Sequence, residues 1–121
     1  MQIRMLEAAI PTTRYPLTRA FYAELLGLPI ASEGRTHTFF EVQGARIAVV
    51  DVTGGDAAVR PSGHGIYLDL AVDDLFSMRR RLLRAGHKLL DERRDEHGVA
   101  ITLKDPEGNL LNIFQEGSFE G

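Results

Sequence analysis

The sequence has 121 residues, of which 44% are hydrophobic and 26% charged, with a net charge of −3 and no cysteine. This length and composition suit one soluble domain with a real core. The acidic balance excludes an electrostatic reason to bind nucleic acid or an anionic membrane, and no apolar run approaches the roughly 20 residues of a membrane helix. The lack of cysteine excludes disulfides, thiolate metal sites and cysteine nucleophiles. No hydrophobic leader opens the sequence, so a cytoplasmic address is expected.

The first half of the chain predicts a strand, a helix and three more strands. The helix covers Leu17–Leu26, because Pro16 is tolerated in a first helical turn and Gly27 can end the helix in a left-handed conformation. A repeat at every fourth residue predicts its buried face, made by Leu17, Phe21 and Leu25 with Ala20 beside them. The strands are predicted at Ile3–Ile10, Pro29–Glu33 (the weakest), Thr36–Val42 and Arg46–Val52.

The second half repeats this order. Asp73 or Asp74 can cap a helix over Asp74–Ala85, which Gly86 ends. Its predicted buried stripe is Leu75, Met78, Leu82 and Ala85. The remaining faces carry four arginines, Arg79, Arg80, Arg81 and Arg84. They are interpreted as a solvated surface near the negative end of the helix dipole, with a basic binding patch as the alternative. The strands are predicted at Ile66–Val72, Lys88–Asp91, Val99–Lys104 and Leu110–Gln115.

One βαβββ plan is therefore used twice. The helix-ending Gly27 and Gly86 are 59 residues apart, and the hairpin glycines Gly44 and Gly108 are 64 apart. Residues 54–63, rich in Gly, Pro and Ser, read as a linker. We predict an α+β fold in a single domain, 1–121, with modules at about 1–53 and 64–116. The two sheets would form a cup-shaped, partly open barrel-like sheet around a shared cleft, with the helices outside.

Three motifs in order make the chain recognisable. Phe21-Tyr22 with Leu25-Leu26-Gly27-Leu28, then Val72-Asp73-Asp74-Leu75, then Asp105-Pro106-Glu107-Gly108-Asn109-Leu110 closely resemble the vicinal-oxygen-chelate superfamily. That superfamily includes glyoxalase I, bleomycin-resistance proteins, fosfomycin-resistance enzymes and extradiol dioxygenases. The resemblance runs from about Ile3 to Gln115. It implies two βαβββ modules paired into a cup and, commonly, a homodimer.

The resemblance also implies where a metal would bind. Enzymes of the superfamily hold a divalent metal on the first and last strands of each module, typically with His or Gln, Glu, His and Glu. The matching positions here are Glu7, Ala48, Tyr67 and Asn112. Only Glu7 is a strong ligand for a hard cation, because a phenol is normally protonated, an amide oxygen is weak and alanine offers nothing. Since catalytic sites usually need three protein ligands, we predict no metal cofactor, with a divalent metal as the less favoured alternative.

Alternation along the strands predicts which side chains face the cup. These are Met5, Glu7, Ala9, Arg46, Ala48, Val50, Tyr67, Asp69, Ala71, Leu110, Asn112 and Phe114. The opposite, apolar face would seat the helices, through Leu6, Ala8, Ile10, Ile47, Val49, Leu68, Leu70, Leu111 and Ile113. A few polar groups among apolar walls are typical of a ligand pocket. The predicted ligand-binding residues are Glu7, Arg46, Ala48, Tyr67, Asp69, Asn112 and Phe114, and no catalytic residue is assigned.

Other interpretations of these residues stay open. Glu7 and Asp69 could pair with Arg46 in an ion-pair network without any ligand. Tyr67 could be an ordinary wall residue, and Phe39, Phe40 and Phe114 could be core. His64 could reach the cup rim beside Glu7 if the fifth strand slips in register by one residue or starts with a bulge. The remaining histidines read as surface or satisfied residues, at His37, His87 and His97.

Three functions fit these observations. The favoured one is a non-enzymatic protein of bleomycin-resistance type that binds a small organic molecule, with carboxylates suited to a cationic ligand and aromatic rings suited to stacking. The second is an enzyme, either a metal-dependent lyase or dioxygenase with an altered ligand set or a metal-free one with Glu7 or Asp69 as general base. The third is a regulatory or structural dimer with a vestigial cup.

Overall fold

The computed structural model describes residues 1–54, 66–96 and 98–118. The chain divides into two compact units, Met1–Ser62 and Gly63–Gly121. Each unit has one helical segment and one four-stranded sheet in the order βαβββ, so the predicted α+β class with two such modules is confirmed. The division falls within the predicted linker, 54–63, most of which lies outside the described residues. His64 and His97 also lie outside the described residues.

The first unit forms a sheet of order β1-β4-β3-β2, in which β1 runs parallel to β4 and the other pairs are antiparallel. One face of the sheet and the helix share an apolar core, where the ring centroids of Tyr22 and Phe40 lie 6.4 Å apart. Gly44, at φ +87°, closes the hairpin between β3 and β4 as predicted. The elements are β1 (Ala8–Thr12), helix α1 (Tyr15–Ala20) continued by a π-helical turn (Phe21–Leu25), β2 (Ile30–Glu33), β3 (His37–Val42) and β4 (Ala45–Asp51).

The first strand is shorter than predicted. The sequence places it at Ile3–Ile10, but β1 begins at Ala8, whose register partner on β4 is Ile47. β4 begins at Ala45, which in this parallel register would stand opposite Leu6, so residues 3–5 have no partner on β4, and a strand needs a partner to satisfy its backbone. Leu6 is 66% exposed, so its predicted role in seating the helix is wrong. Ala8, assigned to the same apolar face, is exposed as well.

The buried face of the first helix also differs from the prediction. Leu17, expected in the core, is 61% exposed. The amide of Leu26 donates to the carbonyl of Phe21 five residues earlier, at 2.9 Å, which is the hydrogen bond of a π-helix. This wider turn contains one residue more than an α-helical turn, so residues taken at every fourth position do not all face the core. Phe21 is buried as predicted, and Thr18, Tyr22 and Leu26 are buried in place of Leu17.

The second unit forms a sheet of order β5-β8-β7-β6, with β5 parallel to β8 and the others antiparallel. Its core is fully apolar on the side of the helix, where Leu103, Leu111 and Ile113 are completely buried. None of the helices in the described ranges has the length and apolarity needed to span a bilayer. The elements are β5 (Tyr67–Val72), helix α2 (Leu75–Arg84), β6 (Asp91–Asp95), β7 (Gly98–Lys104) and β8 (Leu110–Gln115).

Strand β6 lies later in the chain than predicted. The sequence places it at Lys88–Asp91, whereas it covers Asp91–Asp95 and pairs with β7 from Asp91 opposite Thr102 to Asp95 opposite Gly98. Its sequence is Asp-Glu-Arg-Arg-Asp, which carries none of the β-branched or aromatic residues that usually indicate a strand. Because β6 pairs with a neighbour on one side only, charged side chains are tolerated on it.

The turn Asp105–Asn109, predicted from its proline and glycine, joins β7 to β8 and is organised by a buried carboxylate. One oxygen of Asp105 accepts the amides of Glu107 and Asn109, both at 2.9 Å, and the other accepts the Asn109 side-chain amide at 3.0 Å. Gly108 has φ +90°, as the prediction requires. The motif residues therefore fix the start of β8 by hydrogen bonds within the turn.

Helix α2 is capped as predicted by one of its two candidate aspartates. The carboxylate of Asp74 accepts the Ser77 amide at 3.0 Å and the Ser77 hydroxyl at 2.7 Å. The helix buries Leu75, Met78 and Leu82 as predicted, while Ala85 stands at its C-terminal cap and is exposed, so its assignment to the buried stripe is wrong.

We expect Asp74→Ala to lower the melting temperature by a few degrees at pH 7 and to lose this effect in acid. The Ser77 hydroxyl, and then its backbone amide, hold the pKa of Asp74 below its ordinary value of 3.8. The stabilisation is therefore present above that ordinary pKa and disappears as the pH falls through the lowered one. Melting curves from pH 7 to pH 2 would measure this. Asp73→Ala removes the neighbouring exposed carboxylate and is the matched control, which should leave the melting temperature at pH 7 nearly unchanged. An Asp74→Ala gap independent of pH would contradict the assignment.

Candidate functional site

Strand register gathers one set of side chains on the sheet surface of the second unit that faces away from helix α2. On β5 and β8, Asp69 stands opposite Asn112 and Ala71 opposite Phe114, while on β7 Thr102 stands opposite Asn112. On β6, Arg93 is paired with Ala100, which puts its side chain on the same surface. We call this surface the polar face. It comprises Tyr67, Asp69, Arg93, Thr102, Asn112 and Phe114.

Asn112 is the centre of a hydrogen-bonded cluster on the polar face. Its side-chain amide nitrogen donates to the Tyr67 hydroxyl and, at 3.0 Å, to a carboxylate oxygen of Asp69. Its side-chain oxygen accepts the Thr102 hydroxyl at 2.6 Å. Asn112 is only 3% exposed, so burial of its amide is balanced by these partners. The cluster thus holds Tyr67 and Asp69 in fixed positions above a buried anchor.

The groups that Asn112 positions are themselves accessible. Tyr67 is 60% exposed, and Asp69 is exposed beside it. The second carboxylate oxygen of Asp69 has no hydrogen-bond partner within the described ranges, because the contact to Asn112 uses the other oxygen. The polar face therefore offers solvent a free anionic oxygen next to an aromatic ring.

An arginine and a phenylalanine form the other end of the polar face. The Arg93 guanidinium stands 5.3 Å from the centre of the Phe114 ring, a cation–π arrangement. The Arg93 Nε atom is buried and has no hydrogen-bond partner among the residues that the structure describes. Along the same strand, alternation puts Asp91 and Asp95 on the same surface. Carboxylates thus stand on both sides of this single arginine.

In the first unit, the predicted site residues do not form a comparable cluster. Glu7 is half-buried and lies just before β1. Arg46 stands over the Phe39 ring, 4.3 Å from its centre, and the described ion pairs of this unit join Arg19 to Glu24 and Glu33 instead. A pairing of Glu7 with Arg46 is therefore wrong for the described residues. Ala48 has no exposed surface, so it packs beneath other side chains and cannot contact a ligand directly.

The donor set does not fit a divalent cation. At the two second-unit positions that the resemblance relates to metal binding, the Asn112 amide nitrogen points its hydrogens at the Tyr67 hydroxyl and at Asp69. An N–H group repels a cation, and the amide oxygen is already bonded to Thr102. Across 1–54, 66–96 and 98–118, no group of three or more His, Cys, Asp or Glu side chains could hold a metal ion.

Two members of the polar face were missed from the sequence. Thr102 follows from alternation once β7 is placed opposite β8, so the signal was present. Arg93 was missed because β6 was predicted to end at Asp91. The four predicted residues of this unit, Tyr67, Asp69, Asn112 and Phe114, do lie together on one surface.

Comparison with known proteins gives one family and many similar structures. A model of the glyoxalase-like domain matches residues 8–114. Lactoylglutathione lyase from Agrobacterium tumefaciens aligns with a TM-score of 0.74 at 17% identity, over 93% of each chain. TnmS3, an antibiotic-binding protein from Streptomyces sp. CB03234, aligns with a TM-score of 0.70 at 22% identity, over 95% of this chain and 98% of that one. A bleomycin-binding protein complexed with bleomycin aligns with a TM-score of 0.66 at 21% identity, over 94% and 99%. Among curated proteins, none matches the sequence.

Proposed function

Because this chain belongs to the glyoxalase-like domain family, we propose that it binds a small organic molecule on the polar face without a resident metal. The observation that carries the proposal is the closed cluster around Asn112. It takes up two positions where related enzymes hold a metal, and it leaves the exposed ring of Tyr67 and one oxygen of Asp69 open to a ligand. The antibiotic-binding and bleomycin-binding proteins of the same fold support a binding role.

The charges on the polar face favour a cationic, flat ligand. Asp69 presents a free carboxylate oxygen, whereas the other charged member of the polar face, Arg93, already stands over the Phe114 ring. An exposed phenol ring beside a free carboxylate oxygen suits an aromatic cation, which can stack on the ring and pair with the carboxylate. The predicted homodimer and cytoplasmic address stay predictions of the resemblance and of the sequence.

A planar dye tests this proposal. We expect proflavine, a tricyclic aromatic cation, to bind saturably at one dye per chain and more tightly than acridone, an uncharged tricyclic ring system of similar size. Asp69→Asn should weaken proflavine binding by about tenfold, since a charge-assisted hydrogen bond contributes on the order of 1.4 kcal/mol or more. Tyr67→Ala should weaken both dyes, because the ring supports stacking for either one. Fluorescence titration gives the dissociation constants.

The controls separate this site from general attraction to an acidic protein. Asp73→Asn removes one exposed carboxylate just beyond the end of β5 and should leave proflavine binding unchanged. Equal weakening by Asp69→Asn and Asp73→Asn would refute the proposed site. Titrating the chelator-stripped protein with Zn, Ni, Mn, Co and Fe(II) tests the metal-dependent alternative by thermal melting. A saturable shift at one ion per chain, abolished by Glu7→Ala, would overturn the proposal in favour of a lyase or dioxygenase.

A further inference from the structure

A separate cavity lies on the opposite side of the second sheet, between helix α2 and strands β6 and β7. Its volume is about 520 Å³, which is within the range of pockets that hold drug-sized molecules. It does not include the Asn112 cluster, although Arg93 of the polar face is among its lining residues. The side chains used in the argument below are Leu75, Phe76, Arg79, Glu92, Arg94 and Val99.

The cavity has an apolar wall with an exposed aromatic ring. Leu75 is 6% exposed and belongs to the core under the helix, whereas Phe76, the next residue, is 65% exposed. Val99 on β7 is half-buried and also lines the cavity. A large aromatic side chain so exposed beside a concave surface can bury area against a ligand without rearranging the core.

The charged lining is net positive. Arg79 on α2 donates to Glu92 on β6, with 2.5 Å between Nε and Oε1, so that one negative charge is matched. This hydrogen bond lowers the pKa of Glu92, and the pair is therefore ionised at neutral pH. Arg94, exposed on β6, makes no ion pair or hydrogen bond with the described residues. It can donate two parallel hydrogen bonds to an incoming carboxylate or sulfonate.

The lining also includes Arg93, whose guanidinium stands over the Phe114 ring on the polar face, and Gln115, which is already committed. The Gln115 oxygen accepts the Leu75 amide at 2.9 Å, and its nitrogen donates to the Asp73 carbonyl at 2.7 Å. Gln115 thus ties the start of α2 to β8 and is unavailable for a ligand. Recognition at this cavity must then come from the free guanidinium and the apolar wall.

We propose that this cavity is a second binding site, for an organic anion whose aromatic or branched aliphatic body packs against Phe76 and Val99 while its acid group pairs with Arg94. The site prefers a charge opposite to the one that the polar face prefers. The two surfaces lie on opposite sides of one sheet, so the same chain can take up two chemically different ligands.

The aromatic sulfonate 1-anilinonaphthalene-8-sulfonate provides a direct test with the folded, full-length chain. We expect saturable binding at one dye per chain, measured by fluorescence titration. Arg94→Gln should weaken binding by about tenfold and Phe76→Ala by several-fold. N-phenyl-1-naphthylamine, the dye without its sulfonate, should bind more weakly to the unaltered chain and be insensitive to Arg94→Gln.

Two matched variants decide the outcome. Arg84→Gln removes an exposed arginine of α2 that does not line this cavity, and Asp69→Asn alters the polar face; both should leave sulfonate binding unchanged. The inference is overturned if Arg84→Gln weakens binding as much as Arg94→Gln, or if neither does. It is also overturned if the uncharged dye binds as tightly, or if Asp69→Asn has the larger effect. Failure of proflavine to bind would leave this site standing.

Discussion

Phe40→Ala is expected to lower the free energy of unfolding by about 3–5 kcal/mol, a large share of the roughly 5–15 kcal/mol that holds a domain folded. Phe40 has no exposed surface, lies on the central strand pair of the first sheet, and packs its ring against Tyr22. Removing the ring deletes buried apolar contacts and leaves a cavity that the neighbouring strands cannot fill. Urea denaturation followed by circular dichroism would measure the loss.

Phe76→Ala is the matched control, because it makes the same chemical change at a side chain that is 65% exposed. It should change the free energy of unfolding by less than about 0.5 kcal/mol. Phe40→Leu should fall between the two, since it keeps an apolar side chain of closer volume. If Phe40→Ala and Phe76→Ala were equally mild, the placement of the first core would be wrong.

Asp105→Ala is expected to lower the free energy of unfolding by about 2–4 kcal/mol. The substitution removes three hydrogen bonds to a carboxylate that is only 5% exposed, and it leaves the amides of Glu107 and Asn109 without that acceptor. Because the turn sets the start of β8, which carries Asn112, we also expect proflavine binding to weaken. Denaturant titration and dye titration on the same preparation would measure both effects.

A graded series makes this expectation specific. Asp105→Asn retains one acceptor oxygen for the two backbone amides but sets an amide nitrogen against the Asn109 side-chain donor, so a smaller loss is expected. Lys104→Ala alters an exposed neighbour and should be nearly neutral. An Asp105→Ala protein as stable as Lys104→Ala would mean that the turn is held by other contacts.

The parts of the fold that the sequence predicts are those determined locally. Gly27, Gly44, Gly86 and Gly108 all take positive φ, a backbone conformation that glycine adopts without a steric penalty. Alternation on β5 and β8 follows from the pleat, so Tyr67, Asp69, Asn112 and Phe114 could be assigned to one surface. The resemblance supplied the family, because its three motifs make turns and caps that the fold needs.

The errors arise where a partner or an irregular turn decides the outcome. The length of β1 depends on where β4 begins, which no property of residues 3–7 reveals. A regular 3.6-residue period predicts Leu17 on the buried side. The helix with its π-helical turn departs from that period and buries Thr18 and Tyr22 instead. Strand β6 is specified by pairing with β7 rather than by its own residues, and Arg93 was missed with it. The hydrogen bonds of Asn112 likewise depend on tertiary structure, because they join β8 to β5 and β7.

The charged sequence of β6 has a consequence for how the protein behaves at high concentration. An edge strand displays unpaired backbone groups that a second chain can use for intermolecular β-pairing, the first step of many aggregates. On β6, Asp-Glu-Arg-Arg-Asp would force a stacked copy to bring like charges together or to desolvate them. The charged residues that conceal β6 in the sequence thus protect this edge of the sheet from intermolecular β-pairing.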